Sequence, residues 1–344
     1  MPIKTNKADL SADRVKEVNK LIQASLLLTA LLVFFSFLAG CNQDEKTANP
    51  ATNDNTAKDT TVYWMAPDIN GIRDSVQKEM VSYGRELISH TSKYLGPRGI
   101  ALHMSNGMNC QNCHLVSGTA VYGINFGSVA SQYPKFRARS GSIESIVKRI
   151  NDCFERSLNG KSLDSSGREM QAILAYLHFI GSNVDRGKKA AGSGLKDLAF
   201  PAKAADPEKG RAVYIAKCQL CHQADGQGLF NPDHTENIYP ALWGDNSYND
   251  AAGLYRISSF AAFVKNNMPQ GTTYRNPRLT DEEAWDVAAF VNSRPRPHLA
   301  VPRDWPDISK KPVDLPFGPY ADSFSEKQHK FGPFKPIAGE QKSR

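Results

Sequence analysis

Cysteine is scarce in this 344-residue chain. Six residues are too few for a disulfide-stapled scaffold, although an even number still permits three bridges. Long apolar runs are missing as well. The longest, Leu26 to Leu38, is interrupted by Thr29 and Ser36 and falls short of the about 20 residues that a membrane span needs. Asn42 to Thr61 contains no Val, Leu, Ile or Met and no aromatic residue, so it cannot bury a core and reads as a flexible tether. The formal charge of +7, 40% hydrophobic and 22% charged residues exclude a disordered chain and an integral membrane bundle, and no nucleic-acid partner is expected. At roughly 100–200 residues per domain, the length suggests two domains.

Five basic residues (Lys4, Lys7, Arg14, Lys16, Lys20) precede the apolar run, and Ala39-Gly40 lead from it to Cys41. This is the layout of a secretory signal. Leu38-Ala39-Gly40-Cys41 resembles the lipobox of bacterial lipoproteins, whose Cys carries the lipid. Residues 1–40 are therefore expected to be a lipoprotein signal and 41–62 a tether. The rest would be exported to the periplasmic or cell-surface side, held on a membrane through Cys41. An uncleaved anchor helix, or secretion with a free Cys41, is the alternative. Without residues 1–40 the charge falls to about +5.

The remaining cysteines are grouped. Cys110-Gln111-Asn112-Cys113-His114 and Cys218-Gln219-Leu220-Cys221-His222 are both Cys-x-x-Cys-His, the attachment pattern of c-type haem: two thioethers and a His on iron. Zinc would need further ligands at nearby spacing, and a redox Cys-x-x-Cys does not require the trailing His. Two covalent haem c groups are the expected cofactors.

The flanks of the two motifs repeat too. Gly84-Arg85 and Gly210-Arg211 lie upstream in helix-like stretches. The first runs from about Ile72 and places Ile72, Val76, Met80, Tyr83, Leu87 and Tyr94 on one face. Downstream, Tyr133-Pro134 and Tyr239-Pro240 are each expected to offer a proline carbonyl to the motif His. Glu169 to Leu177 aligns with Glu283 to Val291 as a closing helix, the second one capped by Thr280 with Glu283 at the capping-box position. The fold class is thus all-α: two tandem class I-like cytochrome c domains at 63–185 and 208–300, joined by a linker at 186–207. The last 51 residues hold nine of the 20 prolines. Residues 301–344 are expected to form an extended tail, packed on the body through Trp305, Phe317, Tyr320, Phe324, Phe331 and Phe334.

One Met, Met268, follows His222 before the closing helix, and His/Met ligation suits an electron carrier. His234 and Lys265 compete for that role. The repeat puts Cys153 at the equivalent place in the first domain, which predicts a thiolate opposite His114; Met170 and His178 are alternatives, and an inert buried thiol is the plainer one. A thiolate lowers the iron potential. Between Ser131 and Lys161, seven basic residues (Lys135, Arg137, Arg139, Lys148, Arg149, Arg156, Lys161) face Glu144, Asp152 and Glu155, a local net of +4. On helices, Lys148 and Lys161 read as solvated. A cationic pocket beside a thiolate points to an anionic substrate.

Tyr133-Pro134-Lys135-Phe136-Arg137-Ala138-Arg139-Ser140-Gly141, Asn151-Asp152-Cys153-Phe154-Glu155-Arg156-Ser157-Leu158-Asn159-Gly160, Tyr239-Pro240-Ala241-Leu242-Trp243-Gly244 and the tail's Pro316-Phe317-Gly318-Pro319-Tyr320-Ala321-Asp322 closely resemble dihaem thiosulfate dehydrogenases. The likeness runs from about Tyr63 to the end. It implies coupling of two thiosulfates to tetrathionate, or the reverse, with His114 and Cys153 on the catalytic haem and His222 and Met268 on the other. The family's substrate-contacting Arg and Ser map onto Arg139 and Ser157, with Arg137 and Arg156 as further cations for the anions. Members that exchange ligands carry Lys directly before the Met; Asn267 stands there in this chain, which favours plain His222/Met268 ligation. An external one-electron acceptor, such as a small cytochrome, is the implied partner. The rival readings are a non-enzymatic dihaem carrier and a Sox-type His/Cys cytochrome subunit.

Overall fold

A computed structural model describes residues 60–343. The expected signal segment, the lipobox with Cys41 and most of the tether lie outside these residues. Cys110, Cys113, Cys153, Cys218 and Cys221 are all unbridged, which removes the three-disulfide alternative.

The first half contains α1 (Ser75–Ser89), a short hairpin of β1 (Lys135–Arg137) and β2 (Ser142–Glu144), α2 (Ile146–Asp152) and α3 (Arg168–Ile180). The second contains α4 (Pro207–Lys217), a bulged strand pair of β3 (Leu229–Phe230) and β4 (Asn237–Tyr239), α5 (Ile257–Asn267) and α6 (Asp281–Ser293). Two helices, α7 (Glu326–Phe331) and α8 (Phe334–Ser343), close the chain. The halves are two helical cytochrome c domains.

Each half is framed by its first helix packed on its last, α1 on α3 and α4 on α6. The repeated glycine sits at each crossing. A Cβ at Gly84 would lie 2.0 Å from the Ala172 carbonyl oxygen, and one at Gly210 would lie 1.9 Å from that of Asp286. Only glycine lets the backbones approach so closely. Side chains set the helix starts: Asp74 accepts from the Gln77 N–H on α1, Asp206 from Glu208 and Lys209 on α4 with Pro207 at the first turn. On α6, Thr280 and Glu283 form the reciprocal capping box.

The crossing also shifts the face expected for α1. That helix begins at Ser75, and Val76 is 71% exposed. The buried stripe is Val81, Gly84, Leu87 and Ile88, because the face must centre on the glycine that meets α3.

The tail is irregular only as far as Ser325, beyond which α7 and α8 form. Prolines are dense up to Pro319; of the later two, Pro333 precedes α8 and Pro336 falls in its first turn, where a missing N–H costs little. Phe334 and Ile337 are fully buried, with Phe334 5.8 Å from Trp285 and 5.3 Å from Phe200 between ring centroids. Asp314, also buried, receives Arg256 at 2.6 and 2.9 Å. The linker is tied down as well: Tyr122 and Ile124 donate their N–H groups to the Gly192 and Gly194 carbonyls at 2.8 and 3.0 Å.

Candidate active site and haem cavities

Each Cys-x-x-Cys-His motif lies on the wall of its own cavity. The first holds about 980 Å³ of empty space, partly open to solvent, and is lined by Cys110, Cys113, His114, Tyr133, Arg149, Cys153 and Ser157 among mostly apolar residues. The second holds about 1520 Å³, also partly open to solvent, and its lining includes Cys218, Cys221, His222, Met268 and the apolar side chains of Phe260, Phe263, Val264, Val287 and Val291. Gln111, Asn112 and Cys113 of the first motif also line the second cavity, so the first attachment segment borders both cavities.

The donor sets fit haem c. Burial pulls His114 down to about 4 and also lowers His222, so both are neutral imidazoles, the form that ligates iron. His222 Nδ1 donates to the Pro240 carbonyl at 2.9 Å, which leaves Nε2 free. In the first half the carbonyl is different: His114 Nδ1 donates to Ile124 at 2.6 Å, not to Pro134. The chain doubles back at once after the motif, with Tyr122 (φ 55°) and Ile124 (φ 53°) in the left-handed region and Leu115 N–H bonded to Gly123. That turn brings a carbonyl to the ring ten residues after the His. β-Branched Ile at positive φ is strained backbone at a functional site.

Cys153 and Met268 occupy matching places, each the residue that follows a helix (α2 and α5) and each lining the same cavity as its motif His. The alternatives stand elsewhere. Met170 is buried in the core outside the first cavity and His178 is exposed. His234 is exposed, and Lys265 is engaged by the Leu279 carbonyl and Asp281, both at 2.7 Å. Asn267 donates to the Tyr122 carbonyl at 3.2 Å. Among the described residues no group of three or more His, Cys, Asp or Glu could hold a metal ion, so the zinc reading has no ligand set.

What surrounds Cys153 differs from what surrounds Met268. Cys153 opens a turn of π-helix, Cys153–Ser157, in which the Leu158 N–H bonds to the Cys153 carbonyl at 3.0 Å. Such wide turns cluster at functional sites. One turn before it, Arg149 Nη1 lies 3.0 Å from Cys153 Sγ. The facing sulfur is the main cause of the raised Arg149 pKa. Arg139, at the tip of the β1–β2 hairpin, is pushed down by burial and then by the neighbouring cations Arg156 and Arg149, with Asp304 opposing. The three guanidinium groups therefore lie within electrostatic reach of one another, and Arg149 is the one in contact with the sulfur.

Both halves match family models, one described as the SoxA/TsdA cytochrome c domain over residues 101–184 and one described as cytochrome c over residues 207–295. The thiosulfate dehydrogenase of Psychrobacter arcticus is 34% identical over 300 residues, covering 86% of this chain and 87% of that protein. This chain belongs to the thiosulfate dehydrogenase family. The namesake from Allochromatium vinosum is 35% identical over 246 residues, 70% of this chain and 87% of its own. A solved structure, the as-isolated thiosulfate dehydrogenase (TsdBA) from Marichromatium purpuratum, aligns with a TM-score of 0.64 at 32% identity, over 69% of this chain and 50% of that one. Two covalently bound haem c groups follow from two cytochrome c domains with one motif each.

Within this thiosulfate dehydrogenase fold the expected substrate residues separate. Ser157 lines the first cavity with Cys153. Arg139 does not line that cavity; it lies within electrostatic reach of Arg149, which does, makes no hydrogen bond through its guanidinium among the described residues, and has Asp304 3.9 Å from Nε. Arg137 lies at the rim, Nη1 3.4 Å from the Tyr133 hydroxyl and Nε 3.9 Å from Glu144. Arg156, a candidate for binding the anion, is engaged instead: Nη1 and Nη2 hold Asp304 bidentately at 2.7 and 2.9 Å. Arg149 was not picked out from sequence, although its position four residues before Cys153 on a helix puts the two side chains together.

Proposed function

We propose that this protein couples two thiosulfates oxidatively to tetrathionate, and can run in reverse, with Cys153 as the reactive sulfur. The observation that carries this is Cys153 Sγ, which has Arg149 Nη1 at 3.0 Å and lines the same cavity as His114. His114 and Cys153 would hold one haem, His222 and Met268 the other. When bound, each haem supplies a one-electron couple, the Cys-ligated one at the lower potential.

The chemistry left to the protein is mainly electrostatic. Two thiosulfate dianions at about 4 Å repel by roughly 4 kcal/mol in bulk water and about 16 at an effective dielectric of 20. Fixed cations must offset this before a sulfur–sulfur bond can form. Arg149 places a fixed cation against the Cys153 sulfur. Arg139 presents free donors to a sulfonate, Arg137 adds charge at the rim, and Ser157 donates to a sulfonate oxygen. In the first step the Cys153 thiolate and the terminal sulfur of one thiosulfate lose two electrons and join as a cysteine S-thiosulfonate. A second thiosulfate then attacks the outer sulfur of that adduct; tetrathionate leaves and the thiolate returns. The balance closes with two electrons out and no proton moved, so the site needs no acid or base.

The second haem, held by His222 and Met268, would supply a one-electron exit to an external acceptor such as a small cytochrome. The chain is exported and lipid-anchored at Cys41. Cys153→Gly should retain both haems and lose thiosulfate turnover; normal turnover in that variant would sink the mechanism. Cys41→Ser should move the protein from membrane to soluble fraction.

A further inference from the structure

The C-terminal tail reaches the first cavity's cation cluster at one point. Asp304 forms a two-pronged ion pair with Arg156 and sits 3.9 Å from Arg139 Nε; the side chains of Asp304, Arg139 and Arg156 are 13%, 16% and 10% exposed. The next residue, Trp305, donates its N–H to the Arg139 carbonyl at 2.6 Å, and the Arg139 guanidinium lies over its ring at 5.9 Å. Trp305 itself takes a positive φ of 60°. Pro306 then covers Gly141, where a Cβ would meet its ring at 2.5 Å. Three consecutive tail residues thus grip the hairpin tip that carries Arg139. Arg156 is held from the other side as well, since its carbonyl accepts the N–H of fully buried Asn249 at 3.1 Å.

Neighbouring cations repel, and an unengaged Arg139 would swing towards water without a counter-charge. The two-pronged pair gives Arg156 a fixed place in the wall, and the Arg139 donors are left free for an incoming anion. We propose that Asp304 is a positioning residue of the thiosulfate site: it fixes Arg156 as a strut and, with Trp305, holds Arg139 in the anion-binding pose. This rests on the thiosulfate reading only for the substrate's name; the geometry defines a site for a tetrahedral, multiply charged oxyanion.

The test uses the holoprotein carrying both haems, and sulfate as an unreactive oxyanion. Calorimetry should give a sulfate dissociation constant for the wild type, and Asp304→Asn should raise it about tenfold. The same variant should raise KM for thiosulfate about tenfold while kcat changes less than about threefold and both haem spectra stay as in the wild type. Asp304→Glu should recover part of the loss. Unchanged or tightened sulfate binding in Asp304→Asn overturns the proposal, the second outcome because the carboxylate would then be competing with the anion for the arginines. A wild type with no sulfate site overturns it too. Should Asp304→Asn fail to fold, Trp305→Leu, which leaves the ion pair, must weaken sulfate binding about threefold, and no change there overturns the idea. If the wild type binds sulfate but does not turn over thiosulfate, the proposed reaction fails while the sulfate series still decides the role of Asp304.

Discussion

The two halves of the molecule share a frame and differ where the chemistry is. Each crosses its first and last helices at a glycine that touches a carbonyl oxygen, and each presents a neutral His and a sulfur residue to one cavity. Around Met268 the facing side chains are Phe260, Phe263, Val264, Val287 and Val291, an apolar setting that suits a group required only to pass an electron. At Cys153 the matching position opens a π-turn and has Arg149 one turn before it, with Arg139 of the hairpin within electrostatic reach of Arg149. On the proposed reading, chemistry is added to an electron-transfer frame without altering the helix crossing. The change was made at the residue after the distal helix and in the loops that can be replaced without touching the core.

The most severe way to break that difference is to make the first site copy the second. Cys153→Met should keep both haems attached, raise the first haem's potential, remove thiolate absorption features and cut thiosulfate turnover by on the order of a thousandfold or more. The reciprocal Met268→Cys should gain no turnover, because among the described residues no guanidinium lines the second cavity. Redox titration with steady-state assays checks both; wild-type rates in Cys153→Met would show that the thiolate is not the reactive group.

Arg149→Gln is expected to rank next. It removes the cation 3.0 Å from Cys153 Sγ and leaves the α2 backbone alone. We expect kcat/KM for thiosulfate to fall about a hundredfold, with the second haem's spectrum and potential unchanged. A shift confined to KM would instead place Arg149 on the substrate alone.

Stability tests the shared frame. Gly210→Ala puts a Cβ 1.9 Å from the Asp286 carbonyl oxygen, and Gly84→Ala one 2.0 Å from that of Ala172. Each forces its helix pair apart at a cost of about 3 kcal/mol. Thermal unfolding of the holoprotein should show similar losses for the two, whereas a large loss in one half only would mean that the crossings are not equivalent.

Much of this could be read from the chain because it repeats. The two motifs, the glycine of each crossing and the register that equates Cys153 with Met268 are local patterns seen twice, so each copy interprets the other. What escaped was tertiary. Pro240 reaches His222, but Ile124 replaces Pro134 at His114 because the chain from Val116 to Ile124 folds straight back, with four non-glycine residues (Val116, Ser117, Tyr122 and Ile124) at positive φ. Arg156 reads in sequence as a further cation behind Arg139; only the pairing with Asp304, 148 residues later, shows it engaged. Arg149 carried a readable signal, its helical spacing from Cys153, but it was counted only as one of the seven basic residues of its segment.

The smallest predicted effect concerns the closing helices, which align in sequence yet start differently. On α6 the Thr280 hydroxyl accepts from the Glu283 N–H at 3.1 Å, and the Glu283 carboxylate accepts from the Thr280 N–H at 2.7 Å. Lys217 Nζ holds the same carboxylate at 2.9 Å, and these contacts keep the Glu283 pKa below the usual value. On α3 the helix starts one residue later than the alignment gives: Gly167 is the cap, with no side-chain cap hydrogen bond, and Ser166, which aligns with Thr280, donates to Asp164 instead. Thr280→Ala should therefore cost about 1 kcal/mol, while Gly167→Ser should change stability by only a few tenths of that. The carboxylate gives the difference a pH signature. With its pKa depressed in the folded state, Glu283 stabilises above its unfolded value and loses that contribution as pH falls through its folded value. The gap between wild type and Thr280→Ala, measured by denaturant titration, should narrow on acidification; a gap that stays constant down to pH about 3 would show that the box is carried by the hydroxyl alone.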